Sequence, residues 1–110
     1  MALTQISTQG IKDGTITGTD LATNVDLVDN QKLRLGTGTD FSIFHNGTNN
    51  VLSTDNGQVQ IVKGASENIA IFIPDGAVEL YHNNTKRFET SSSGVTVSGD
   101  NSTGSILKGA

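Results

Sequence analysis

The sequence predicts an all-β fold of short antiparallel strands and hairpins, with a core shared between subunits. Three observations carry this. From about residue 31 apolar and polar residues alternate in short runs, the period of a half-buried strand. Turn-making sequences separate the runs at Asn46-Gly47, Asn56-Gly57, Pro74-Asp75-Gly76 and Ser92-Ser93-Gly94. The apolar stock is thin for 110 residues: 34% hydrophobic and 5% aromatic, with no Trp. A chain this small buries only roughly two thirds of its unfolded surface. It must offset about 1–2 kcal/mol of backbone entropy per residue. Disorder would be the other outcome, but it goes with many prolines and high charge. Here there is one proline and 16% charged residues, with Val and Ile spread through the alternating runs. Association between chains fits better.

Taken in order, residues 1–28 differ from the rest. Ile6, Ile11, Ile16 and Leu21 recur every five residues between polar and glycine-rich spacers. Five is neither a helical nor a strand period. It suits an extended arm that docks one apolar residue per repeat onto a neighbouring protein. Any helix would be a single turn near residues 20–24.

Residues 29–110 read as a β-rich body. Strands are expected at 32–35, 41–45, 51–53, 58–62, 68–73, 77–81, 87–90 and 95–98. Gln58-Val59-Gln60-Ile61 and Val78-Glu79-Leu80-Tyr81 alternate cleanly and should present one apolar face. Ile69-Ala70-Ile71-Phe72-Ile73 is apolar on both faces and should be the most buried strand. The expected core or subunit-interface residues are Ile69, Ile71, Ile73, Val78, Leu80, Val95 and Val97. A degenerate repeat relates 41–57 to 78–94. Phe44-His45-Asn46-Gly47-Thr48 aligns with Tyr81-His82-Asn83-Asn84-Thr85, and Gly57 with Gly94, giving four identities in 17 positions. Such repetition is a mark of serially arranged β units.

Composition and motifs exclude several functions. A net charge of −4 with a pI near 4.8 argues against nucleic acid, which needs clustered Lys and Arg. No apolar run is long enough to insert in a membrane, and the first residues lack signal-peptide character. With no Cys there is neither a disulfide nor a thiolate metal site. Gly36-Thr37-Gly38-Thr39-Asp40 lacks the lysine and the helix of a phosphate loop, so it reads as a turn between strands. His45 and His82 have no metal-ligand spacing, although three-fold symmetry could gather copies of either on an axis around an ion. The aspartates adjoin turn residues and form no EF-hand. Glu79 and Glu89 have no context that marks a carboxylate pair for glycoside hydrolysis. Asn46-Gly47-Thr48, Asn83-Asn84-Thr85 and Asn101-Ser102-Thr103 match the glycosylation pattern but read as turns. No catalytic, cofactor-binding or metal site is expected, and no enzyme.

Two segments carry a resemblance. Leu33-Arg34-Leu35-Gly36-Thr37-Gly38-Thr39-Asp40-Phe41-Ser42-Ile43-Phe44-His45-Asn46-Gly47-Thr48 resembles the LRLGTGxDxxIxHxG units of bacteriophage fibre and appendage proteins, especially from phages of marine and freshwater bacteria such as cyanobacteria. Residues 77–90, followed by Ser93-Gly94-Val95-Thr96-Val97, resemble the VELYxxxxKxFETxxxGVxVxG unit of the same proteins. Leu3-Thr4-Gln5-Ile6-Ser7 through Asp13-Gly14-Thr15-Ile16 is similar to the start of many such chains. The resemblance implies a homotrimeric virion component without enzymatic activity, built as a β-rich fibre or a β-sandwich or prism body. Its partners would be itself, other virion structural proteins and, as a further candidate, host surface glycans. Fibre proteins of this kind are usually much longer and end in a receptor-binding tip, whereas this sequence ends at Ala110. That shifts the expectation toward a short tail fibre or adaptor, with a capsid cement or head-decoration protein as the alternative. A carbohydrate-binding module is the rival from another class, but Phe41, Phe44, Phe72, Tyr81 and Phe88 fall mostly on alternating strand positions and suit a core better than a sugar platform.

Overall fold

The protein is described from a computed structural model over residues 10–99. Eight strands follow one another: β1 (Leu33–Leu35), β2 (Phe41–His45), β3 (Asn50–Thr54), β4 (Val59–Lys63), β5 (Glu67–Phe72), β6 (Val78–His82), β7 (Thr85–Ser91) and β8 (Gly94–Val97). Each hydrogen-bonds only to its sequence neighbours, always antiparallel, so the chain is a meander. It is interrupted once, between β3 and β4, leaving a three-stranded and a five-stranded sheet. The fold is all-β. Ile6 and Asn101-Ser102-Thr103, singled out above, lie outside the described residues.

The turns explain the meander. Pro74 opens a turn in which Asp75 takes the positive φ (+58°), Gly76 N–H donates to Ile73 C=O, and Ile73 N–H donates to Ala77 C=O. A Cβ on Gly76 would sit 2.9 Å from Ile73 Cγ2, so any larger residue there would force Ile73 to move. Asn83 and Asn84 both have positive φ (+48° and +64°), the two-residue hairpin geometry whose twist matches the strands. At the corresponding place between β2 and β3 the loop is four residues long. The Asn46 side chain closes it by accepting hydrogen bonds from Thr48 N–H and Asn49 N–H. The repeat is therefore visible in three dimensions, since β2 and β6 coincide at its 37-residue offset while their turns differ. Asn56-Gly57, one of the expected turn sequences, lies where the two sheets separate rather than in a hairpin, with the Thr54 hydroxyl donating to Asn56 C=O and Gly57 C=O.

Residues 10–28 contain no strand. Their one regular element is a 3-10 turn at Gly18–Asp20. Thr17 N–H and its hydroxyl both donate to the Asp20 carboxylate, which holds Asp20 below its usual pKa. Every residue of this segment is exposed, including Ile11, Ile16 and Leu21. It joins the body through Asn30, whose N–H donates to His45 C=O at 2.7 Å.

The molecule is elongated, 75 × 31 × 28 Å, with a radius of gyration of 21.1 Å. A compact chain of about 100 residues would have a radius near 13 Å. Among the described residues only Ala70 and Ile71 are buried hydrophobics. Two buried residues make no core in the ordinary sense.

Candidate functional site

Strand registers sort the side chains onto two faces. In the three-stranded sheet Leu33 pairs with Ile43 and Ile43 with Leu52, while Leu35 pairs with Phe41 and Phe41 with Thr54. In the five-stranded sheet Val59 pairs with Phe72 and Phe72 with Val78, and Ile61, Ala70, Leu80, Phe88 and Val97 form the adjacent row. Thr90 and Val95 complete this face. No charged side chain belongs to these rows, and most of the large residues in them are open: Leu52 is 67% exposed, Val95 54%, Ile61 49%, Leu80 44% and Phe72 41%. Ala70 is buried only because it stands in register between the taller Ile61 and Leu80.

The apolar faces of the two sheets meet. A concavity of about 430 Å³ is lined by Leu52 and Thr54 from β3, Val59 and Ile61 from β4, Phe72, and Ile73 and Pro74 from the following turn, with Val78 from β6. Although the backbone ladder breaks between β3 and β4, the apolar surface runs on across the break.

The opposite face is polar and satisfied. Glu79 and Glu89 stand directly opposite each other across β6 and β7, a repulsive pairing. Lys86 relieves it, lying 2.6 Å from Glu89 and 3.5 Å from Glu79. The Tyr81 hydroxyl donates to Glu79 at 2.5 Å. That hydrogen bond, with Lys86 nearby, lowers the Glu79 pKa; the same bond raises that of Tyr81, and the bond to Glu89 raises that of Lys86. Ile71 is flanked in register by Gln60 and Glu79, and long polar side chains of this kind bury it with their stems. In the other sheet Lys32 Nζ sits 4.5 Å from the centroid of the Phe44 ring.

Two bulges shape this surface. One falls between Ile61 and Val62 opposite β5, the other between Leu80 and Tyr81 opposite β7. Beyond the first, Asn68 N–H is taken by the Asn84 side-chain oxygen at 2.8 Å.

The expected interface residues are divided by these registers. Val78, Leu80, Val95 and Val97 share the apolar face. Ile71 is buried on the polar face, and Ile69, the extra residue of the bulge between Asn68 and Ala70, is 48% exposed. Ile73 lies beyond the end of β5 and lines the concavity. Sequence reasoning did not single out Leu33, Leu35, Ile43, Leu52, Ile61 or Phe72 as one surface. The signal was present in their alternation, but the registers are needed to align them.

The histidines end equivalent strands. His45 Nδ1 is 2.9 Å from Asp29 Oδ1 and 3.2 Å from Gly47 N. One nitrogen cannot donate and accept at once, and a carboxylate can only accept, so the proton belongs on Nδ1. His82 pairs with Thr85 at the β6–β7 turn. Among the described residues no group of three His, Cys, Asp or Glu could hold a metal ion, and no helix is long and apolar enough to cross a membrane. No protein-family model, curated protein or solved structure matches the chain.

Proposed function

We propose that this protein is a non-enzymatic structural component of a phage virion, a homotrimeric tail fibre or fibre-adaptor segment anchored by its N-terminal arm. The observation that carries this reading is the open apolar face, which spans both sheets while only two of the described residues are buried. Covering that face with further copies would give each Ile, Leu or Phe on it about 1.5–3 kcal/mol of burial energy. The likeness of residues 33–48 and 77–97 to phage appendage units supplies the context. An elongated outline suits a fibre better than a flat decoration protein. A carbohydrate-binding role is disfavoured, since Phe44 is occupied by Lys32 and the Tyr81 hydroxyl is engaged with Glu79. The clustered carboxylates are bridged by Lys86 rather than poised for proton transfer.

The N-terminal segment supports anchoring, because Ile11, Ile16 and Leu21 remain exposed and spaced for docking. Deleting residues 1–28 from the chain in its phage tests this. The shortened protein is expected to stay a β-rich oligomer by circular dichroism and light scattering, yet to be missing from purified particles. Normal incorporation would move the anchor to the β body. Unfolding would make the segment part of the body's own core.

A further inference from the structure

We infer that the face carrying Leu33, Ile43, Leu52, Ile61, Phe72 and Leu80 is the surface on which copies of this chain pack, with the concavity between the sheets at its centre. This rests on the oligomeric reading above and goes further by fixing which side of the meander turns inward.

Three features favour a second copy as the occupant. The first is size. Eight strands about 4.8 Å apart and roughly 16 Å long present a footprint of roughly 600 Å². That is of the order of the ~800 Å² that each partner buries in a stable complex. The second is chemistry. Interfaces between copies that never separate resemble a domain core cut in half, depleted of charge at the centre. The rows between the two bulges and the sheet break hold Leu, Ile, Val, Phe, Ala and Thr, while Lys32, Arg34, Glu79, Lys86 and Glu89 lie on the other side. The third is dependence. With Ala70 and Ile71 as its buried hydrophobic residues, the meander needs its cover in order to persist, and copies of itself are the partner present whenever the chain is made.

Continuity matters as well. The ladder breaks between β3 and β4, so nothing in the backbone of one chain clamps the two sheets together there. Leu52, Val59, Ile61 and Phe72 line the concavity at that break. Side chains of neighbouring copies filling it would lock the sheets in line.

Matched substitutions on the two faces test the inference, with the wild-type mass measured alongside. Leu52→Asp should dissociate the oligomer, raising the concentration of half-dissociation at least 100-fold. Arg34→Asp, on the opposite face of the same sheet and also exposed, should leave it intact. Because Leu52→Asp could also unfold the chain, Leu52→Cys and Arg34→Cys are labelled with a maleimide in the native protein. Leu52→Cys should react at least tenfold more slowly than Arg34→Cys, and equally fast once the protein is unfolded in urea. Equal native rates in a wild-type oligomer would overturn the choice of face and leave the oligomeric reading standing. A folded wild-type monomer would remove both. Protection of Leu52→Cys only within whole particles would assign the face to a different virion protein and would also overturn the inference.

Discussion

Across the five-stranded sheet the two faces differ in whether a single chain can finish them. On one, Glu79, Tyr81, Lys86 and Glu89 are long enough to fold over the sheet and bond to one another, and Ile71 is buried in register between Gln60 and Glu79. On the other, Val59, Ile61, Ala70, Phe72, Val78, Leu80 and Val95 stand in parallel rows, and Ile61, Phe72, Leu80 and Val95 remain open. A polar face can be completed within one chain because charged groups find each other at the surface. An apolar face can be completed only by another surface. The comparison teaches that this chain finishes one side of its sheet alone and leaves the other to association.

The largest test of that contrast is Ile71→Asp. An unpaired carboxylate at a site 6% exposed costs several kcal/mol, about the whole stability of a small domain. The β signal in circular dichroism should vanish at all concentrations, even though Ile71 is on the polar face. Next comes Leu80→Ala. If copies cover Leu80, its removal should cost about 2–4 kcal/mol in chemical denaturation, as at a buried site. A cost within about 0.5 kcal/mol, usual for surface positions, would break the comparison. Asn84→Ala should cost about 1–2 kcal/mol, from a lost bond to Asn68 N–H and a left-handed backbone that alanine dislikes. Asn84→Gly keeps the backbone free and should recover the part due to φ.

The smallest effect concerns pH. Glu79 titrates below its usual range in the fold, so its contribution is present above the unfolded pKa and is lost as pH falls through the folded one. Tyr81 and Lys86 are raised, so theirs is present below their unfolded values and lost as pH rises past them. Melting temperature should form a plateau between the carboxylate and the phenol–ammonium ranges. Lys86→Met should lower that plateau by leaving Glu79 against Glu89, and lower it less in acid, as Glu79 loses its charge.

Much of the fold was legible because alternation and turn chemistry are local. All eight strands overlap the expected ones, with ends that differ by two residues or fewer, and Pro74-Asp75-Gly76 closes its hairpin for reasons contained in three residues. Asn56-Gly57 was not legible as a sheet break. The same pair serves a hairpin or a corner, and the choice depends on whether the next strand finds a ladder partner. The face assignment of Ile69 and Ile71 was hidden for a related reason. A run of five apolar residues has no preferred side, and the bulge opposite Val62 sets which way each one points. The open surface itself was written in the shortage of apolar residues, but its position required the registers that bring Leu33, Ile43 and Leu52 into one line.

The central claim is that the apolar face is finished by copies of the same chain. Light scattering coupled to size exclusion, on purified full-length protein at micromolar concentration, measures it most directly. The expected mass is three times 11.5 kDa, with no folded species at the single-chain mass on dilution. A stable, β-rich monomer of 11.5 kDa that melts cooperatively would contradict the account.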